Sequence, residues 1–264
     1  MEIVGYALLV GVGLLLGVMG GGGSILSVPI LVYLFSLDIV AASSYSLFIV
    51  GTTSAVGTAL KRQDRFVDIP ATIELGIPSL LAAFCTRKWI VCTLPDILFM
   101  FDTTPITKRA FLLTIFATVL VLSSVMVIHG TNIGNHESFA RRNRLALILA
   151  GFCVGLLCGL AGAGGGFLIL PALMLFGRLP FNLAVGSALP IIATNSLAGF
   201  LGSASSHPVN WYFLASISIL AVVGIFIGNH IASRFSPYVL KRIFGWLSLI
   251  LGVWILLKEW MQGF

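Results

Sequence analysis

Charge is what this sequence has least of. Among 264 residues there are 9 Asp and Glu and 15 Lys and Arg, so charged side chains make up 9% of the chain against 58% hydrophobic. A soluble domain carries charge on about 25% of its residues. Too little polar surface remains to cover a water-soluble core, and the mean hydropathy of +1.08 agrees. Cysteine is also scarce: Cys85, Cys92, Cys153 and Cys158 form no CxxC pair and lie in or beside apolar segments. They are expected to be small membrane-buried hydrophobes, which argues against a disulfide or a metal site. No nucleotide-binding motif is present, so ATP is not the expected driver, and no cofactor is expected. His129, His207 and His230 fall near segment ends, where an interfacial role suits them better than catalysis.

What fills the chain instead is long apolar runs. Ala110–Gly130, Phe152–Phe176 and Leu179–Ser233 hold no Asp, Glu, Lys or Arg. A membrane-spanning helix needs about 20 such residues, so the chain is expected to be an all-α polytopic membrane protein. Its first segment follows Met1-Glu2-Ile3-Val4 without a basic n-region or a cleavage site, and is expected to stay as a membrane helix. The net charge of +6 calls for no nucleic acid, because loop Lys and Arg at the cytoplasmic face explain it.

The runs are duplicated. GLLLGVMGGGGSILSVPIL, from Gly13 to Leu31, aligns without a gap onto GLLCGLAGAGGGFLILPAL, from Gly155 to Leu173, an offset of 142 residues. At the same offset Ala42 meets Ala184, Leu47 meets Leu189, Thr52 meets Thr194, Ser54 meets Ser196, Gly57 meets Gly199, and Val67-Asp68 meets Val209-Asn210. The domain organisation expected is a first transmembrane repeat over 1–130, a linker over 131–144 and a second repeat over 145–264. In each half a Gly cluster is followed by an unusually short apolar segment, Ile25–Phe35 or Phe167–Phe176. Ten residues of helix rise about 15 Å, half a bilayer. Each is therefore predicted to be a broken or re-entrant half-helix.

The basic residues decide between parallel and inverted halves. If each Gly-cluster pair makes no net crossing, or two, and the N-terminus is outside, ten of the fifteen Lys and Arg fall inside. If each pair counts as one crossing, the split is seven to eight. The positive-inside rule favours inverted repeats. Arg87, Lys88, Lys108 and Arg109 fall outside in that arrangement, within a stretch that also holds Pro95, Asp96, Asp102 and Pro105. That stretch is expected to be an interfacial excursion.

Inverted repeats with paired interrupted segments point to a transporter site near the bilayer midplane. Runs of glycine let the backbone unwind and approach a ligand, and the half-helices that begin there present N–H groups lacking intrahelical partners. Two such N-termini make an anion site. The candidate substrate contacts are Gly21, Gly22, Gly23, Ser24 and Ile25 in the first half, and Gly164, Gly165, Gly166 and Phe167 in the second. The competing role for these glycines is tight helix packing. Thr52, Thr53 and Ser54, matched by Thr194, Asn195 and Ser196, supply hydroxyl and amide donors at mid-helix, with bonding to a helix carbonyl as their alternative. Ser43, Ser44, Ser46, Ser187 and Asn182 are weaker candidates. Glu74, between Pro70 and Pro78, is the proton-coupling candidate, because an intramembrane carboxylate is costly; an interfacial position is the equal alternative.

At these residues the sequence resembles the TauE/SafE sulfite exporter family. The resemblance rests on the Gly-rich run followed by Pro29 or Pro171, on Ala42–Leu47, and on Val67-Asp68 and Val209-Asn210-Trp211. It covers roughly Gly11–Cys85 and Ala146–Lys258. The second copy has Val185-Gly186-Ser187, the commoner wording, where the first has Ser43-Ser44-Tyr45. The resemblance implies transport of sulfite, thiosulfate or an organosulfonate across a bacterial inner membrane. The partners expected are that small anion and the lipid bilayer, with homo-oligomerisation left open. A passive anion channel, a carrier of another small ion and an intramembrane enzyme are the alternatives. The enzyme is disfavoured because Gly166 stands where Ser24 would be its nucleophile and no His lies inside a span.

Overall fold

The computed structural model describes residues 2–20, 23–61, 67–91, 93–95, 97–101, 104–129, 143–204, 209–232 and 234–262. The linker expected over 131–144 lies almost wholly outside them, as do Cys92, Asp96, Asp102 and His207. The helices are α1 (Glu2–Met19), α2 (Ser24–Tyr33), α3 (Ile39–Lys61), α4 (Ile69–Cys85), α5 (Lys108–His129), α6 (Arg144–Ala161), α7 (Gly166–Leu175), α8 (Phe181–Ala204), α9 (Trp211–Ala232) and α10 (Pro237–Gln262). Among the described residues seven helical stretches are long and apolar enough to cross a membrane. They are α3, α5, α6, α8, α9, α10, and α4 extended to Val91. The extension is a π-helical segment, Thr86–Val91. It leads to a hairpin, the one departure from an all-helical chain among the described residues: β1 (Ile97–Phe101) pairs antiparallel with β2 (Thr104–Thr107), Ile97 opposite Thr107 and Phe101 opposite Thr104.

Two of the long helices start with caps related by the internal offset. Asp68 Oδ1 accepts from the Ala71 N–H at 2.8 Å, and Asn210 Oδ1 accepts from the Phe213 N–H at 3.2 Å. Each satisfies a donor that the first turn leaves without an intrahelical partner. The N–H groups of the same two residues reach across the molecule. That of Asp68 donates to Ser187 Oγ at 2.8 Å, and that of Asn210 donates to Tyr45 Oη at 2.9 Å. Ser187 and Tyr45 are themselves counterparts in the repeat, so the two copies perform one structural task with different side chains.

Chain direction follows from glycine contacts. A Cβ on Gly51 would meet Leu197, one on Gly57 would meet Leu189, and one on Gly199 would meet Leu47. The counterpart helices α3 and α8 are therefore antiparallel, crossing where Thr52-Thr53 lies opposite Thr194-Asn195. The counterparts α5 and α10 are antiparallel too, with Gly245 against Ile128 and Gly252 against Val121. By contrast α1 packs parallel to α9, and α4 parallel to α6. Gly13 and Gly17 meet Ala221 and Ile225, while Gly151 and Gly155 meet Leu75 and Ser79. These contacts are backbone to backbone. A Cβ on Gly13 would stand 1.8 Å from the Ala221 carbonyl oxygen, and one on Gly155 would stand 2.2 Å from that of Ser79. Small residues are what allow membrane helices to approach this closely, so packing is the role of these glycines.

The short helix α2 turns back along α1. Gly23 lies against Val12 and Leu16, and at the far end Phe35 lies against Gly5 and edge-to-face on Tyr6 at 5.4 Å. The chain thus reverses at the Gly cluster and returns towards its starting side. Helices α3 and α8 are the most enclosed of the spans, while α9 and α10 turn residues such as Ile219, Phe226, Trp246 and Ile250 outward. In a membrane protein such an apolar exterior suits lipid. Cys158 is buried in the bundle, and Cys153, on the same helix, faces this apolar exterior.

Candidate functional site

Both Gly clusters end a helix in the same way. Gly20 and Gly162 adopt φ +66°, the left-handed region where only glycine is unstrained. Their N–H groups close on the Leu16 and Cys158 carbonyls at 2.8 and 2.9 Å. Beyond that point the two breaks differ. Gly164 and Gly165 are also left-handed, at +69° and +70°, whereas Gly23, the counterpart of Gly165, has φ −67°. Among the described residues neither α2 nor α7 has a side-chain cap at its N-terminus. Gly21 and Gly22, named as candidate contacts, lie outside the described residues.

The second break sits on the α3–α8 crossing. A Cβ on Gly164 would be 2.6 Å from both Ser196 Oγ of α8 and Val50 Cγ1 of α3, and Ser196 Oγ donates to the Gly164 carbonyl at 3.5 Å. Gly165 is equally confined, since a Cβ there would overlap Cys158 Sγ at 1.9 Å. Ala163 to Phe167 are all buried, as are Gly23, Ser24 and Ile25. The Ile25 and Phe167 side chains belong to the core. Phe167 stacks edge-to-face on Phe116 at 5.6 Å, and its carbonyl accepts from Ser123 Oγ at 2.5 Å. A ligand would meet these two residues through their backbones.

The polar triplets divide by hydrogen bonding. Thr52 Oγ1 donates to the Phe48 carbonyl at 2.8 Å, and Thr194 Oγ1 donates to that of Pro190 at 2.9 Å. Thr53 bonds the Ile49 carbonyl. Their protons are committed to the helix, the alternative that the sequence left open. Ser54, Asn195 and Ser196 stand apart. Ser54 Oγ is buried and has no hydrogen-bond partner among the described residues, and the same holds for Asn195 Oδ1. The other end of that amide donates from Nδ2 to Ser79 Oγ at 2.5 Å. The amide ends are alike in shape. Turned over, Oδ1 would accept from Ser79 and Nδ2 would be the free donor. Buried polar atoms left unpaired are costly, and a ligand oxygen is one way to satisfy them.

The weaker candidates are structural. Ser27 and Ser46 share a 2.5 Å hydrogen bond, Ser44 Oγ donates to the Val40 carbonyl at 2.8 Å, and Ser187 holds the start of α4. Asn182 is exposed near the start of α8. Glu74 meets α6. Its Oε1 lies 3.5 Å from Nε of Arg144, the first residue of α6, which gives the carboxylate a structural task where α4 meets α6. The sequence reading missed Arg87. Counted there among the outside charges, it is completely buried beside Gly162. The sequence gives no signal for it, because Arg87 and Lys88 directly follow the apolar run that ends at Cys85.

The model of the sulfite exporter TauE/SafE family matches residues 6–255. A "Probable membrane transporter protein" of Xylella fastidiosa (strain 9a5c) is 27% identical over 261 residues, 94% of this chain and 92% of the relative. Relatives with the same designation in Methanocaldococcus jannaschii and Bacillus subtilis (strain 168) are 26% and 25% identical, covering 93% and 92% of this chain and 92% and 94% of the relatives. No solved structure matches. These relatives are named as transporters rather than enzymes, and their alignments run nearly end to end. The chain is a multi-pass membrane protein that belongs to the sulfite exporter TauE/SafE family.

Proposed function

We propose that this protein is a secondary transporter of a small sulfur-containing anion, sulfite, thiosulfate or an organosulfonate, in the inner membrane. Its two repeats, 1–130 and 145–264 about the 131–144 linker, would be inverted in the bilayer around one central site. Several observations support the inversion. Counterparts α3 and α8 are antiparallel, as are α5 and α10, and the α1–α9 packing is mirrored by α4–α6. The distribution of Lys and Arg points the same way.

The single observation that carries the site is Gly164, wedged between Val50 of α3 and Ser196 of α8 where those helices cross. An uncapped half-helix N-terminus begins there, and on the same two helices Ser54 Oγ and one end of the Asn195 amide, a donor once the amide is turned over, lack partners among the described residues. Donors of this kind suit oxyanion oxygens. Membership of a family described as sulfite exporters is what supports sulfur as the element.

The test is flux into proteoliposomes of sulfite, thiosulfate, sulfoacetate, sulfate and chloride. Saturable uptake and counterflow of a sulfur oxyanion are expected, and a channel cannot show counterflow. Proton coupling belongs to the same proposal, with Glu74 taking up the proton on release from Arg144. Glu74→Gln is then expected to abolish stimulation by an imposed pH gradient and to leave counterflow intact. Stimulation retained in that variant would assign Glu74 to its ion pair alone.

A further inference from the structure

Helix α10 sorts its residues by size. Its two glycines, Gly245 and Gly252, lie against Ile128 and Val121 of α5, and Ser248 between them is completely buried. The outward face carries Tyr238, Val239, Arg242, Ile243, Trp246 and Ile250, all exposed. These residues line a groove of about 420 Å³, in which Arg242 and the Tyr238 hydroxyl are the polar groups. From Tyr238 to Ile250 the helix rises about 18 Å. Half the hydrocarbon core of a bilayer is about 15 Å, so the groove has the length of one leaflet.

The polar end of this groove is basic. Arg242 Nη2 donates to Tyr238 Oη at 2.8 Å, and the guanidinium lies 5.0 Å from the centroid of that ring. The phenol oxygen accepts in this contact, so its own proton is left to donate outward. Arg242 forms no ion pair among the described residues, and Lys241 and Arg234 are its basic neighbours along the chain. Between Glu137 and Glu259 the sequence holds no Asp or Glu. The other end of α10 is built differently. Lys258 Nζ lies over the Tyr33 and Trp254 rings, 3.6 and 4.9 Å from their centroids, and a carboxylate, Glu259, follows it in the chain. The charge at the far end is covered, whereas that of Arg242 is presented.

We propose that this face of α10 is a binding site for an anionic phospholipid. The phosphate accepts from the Arg242 guanidinium and the Tyr238 hydroxyl, and an acyl chain runs along Val239, Ile243, Trp246 and Ile250. A guanidinium matches a phosphate with planar paired donors. Tyr and Trp are the side chains that suit the headgroup level, and basic sites on membrane helices recognise anionic headgroups. A second copy of the chain is the competing occupant. Membrane helices associate through small residues, and those of α10 are already packed on α5, while the groove is lined by large ones. The site requires only that the chain is embedded in a bilayer, so it is independent of what the protein transports.

The test is native mass spectrometry of the full chain, titrated in detergent with phosphatidylglycerol and with phosphatidylcholine of the same acyl chains. Phosphatidylglycerol is expected to bind about tenfold more tightly or better. Arg242→Gln is expected to weaken phosphatidylglycerol about tenfold and to leave phosphatidylcholine within about twofold. Arg242→Lys, which keeps the charge and loses the fork, is expected to show a smaller loss, about threefold. This variant carries the test if Arg242→Gln elutes as aggregate. Trp246→Ala removes a wall of the groove rather than its charge, and is expected to weaken both lipids by a similar factor. Lys258→Gln, about 24 Å further along the helix, is expected to change binding by less than about twofold. Equal binding of the two lipids, a preference retained in Arg242→Gln, or an equal loss in Lys258→Gln would overturn the site. Displacement of phosphatidylglycerol by an equal concentration of inorganic phosphate would also overturn it, since the groove would then contribute nothing. A dimer that dissociates in Trp246→Ala and persists with added lipid would give the groove to a second copy instead.

Discussion

Gly164→Leu is expected to reduce sulfite flux by more than about 100-fold while the protein still inserts and elutes as a single species in detergent. Two costs meet at this residue. Its φ of +69° is the left-handed conformation, which disfavours any L side chain by about 1–2 kcal/mol. Its Cβ would also lie 2.6 Å from Ser196 Oγ and from Val50 Cγ1, on opposite sides of the α3–α8 crossing. Relief requires the two central helices to part, or the break to move away from them. Either movement displaces the start of α7 from Ser196 and from the α3–α8 crossing. Insertion is governed instead by the long apolar spans, none of which the substitution interrupts. Gly164→Ala keeps the backbone strain with less bulk and is expected to retain part of the flux. Flux within twofold of the unsubstituted protein in Gly164→Leu would remove the second Gly break from the transport path.

The segment plan was legible because hydropathy and duplication carry it. The short helices, the Gly breaks and the starts of α4 and α9 at Asp68 and Asn210 are all where the sequence places them. What the sequence could not show depends on contacts between distant residues. That α2 folds back on α1 is visible only when Phe35 is found against Gly5 and Tyr6. Gly13 and Gly155 stand in the aligned strings with the Gly clusters, yet they serve the α1–α9 and α4–α6 contacts about two turns before the breaks. Gly23 and Gly165 are the same residue at the same place in the repeat with opposite signs of φ, because glycine admits both.

The polar candidates show the same limit. Residue type nominated Thr52, Thr53 and Thr194 alongside Ser54, Asn195 and Ser196. Rotamer and neighbours then set the first three to bonding their own helices. Arg87 was illegible for another reason. Arg87 and Lys88 together follow an apolar run and read as its boundary, and only the packing of Ser43, Gly159 and Gly162 around Arg87 reveals a buried charge.

Asn195→Leu separates function from stability at the crossing. The side chains are similar in size, so the core between α8 and α4 stays filled. The substitution removes the hydrogen bond to Ser79, worth about 1 kcal/mol, and with it the buried Oδ1 that has no partner among the described residues. Ser79 Oγ can turn back to the Leu75 carbonyl one turn earlier, as Ser and Thr do in apolar helices. Loss and gain nearly cancel, so the thermal unfolding midpoint in detergent is expected to shift by only about 3 °C or less. Sulfite flux, by contrast, is expected to fall by about tenfold or more, because the amide is a polar group at the crossing that the helix backbone does not already hold. Turned over, the amide leaves Nδ2 rather than Oδ1 as its unpaired end, and that N–H is the group an oxyanion oxygen would accept from. The opposite pattern, flux preserved with the midpoint sharply lowered, would make Asn195 a tie between α8 and α4 and move the anion's contacts to Ser54, Ser196 and the α7 backbone.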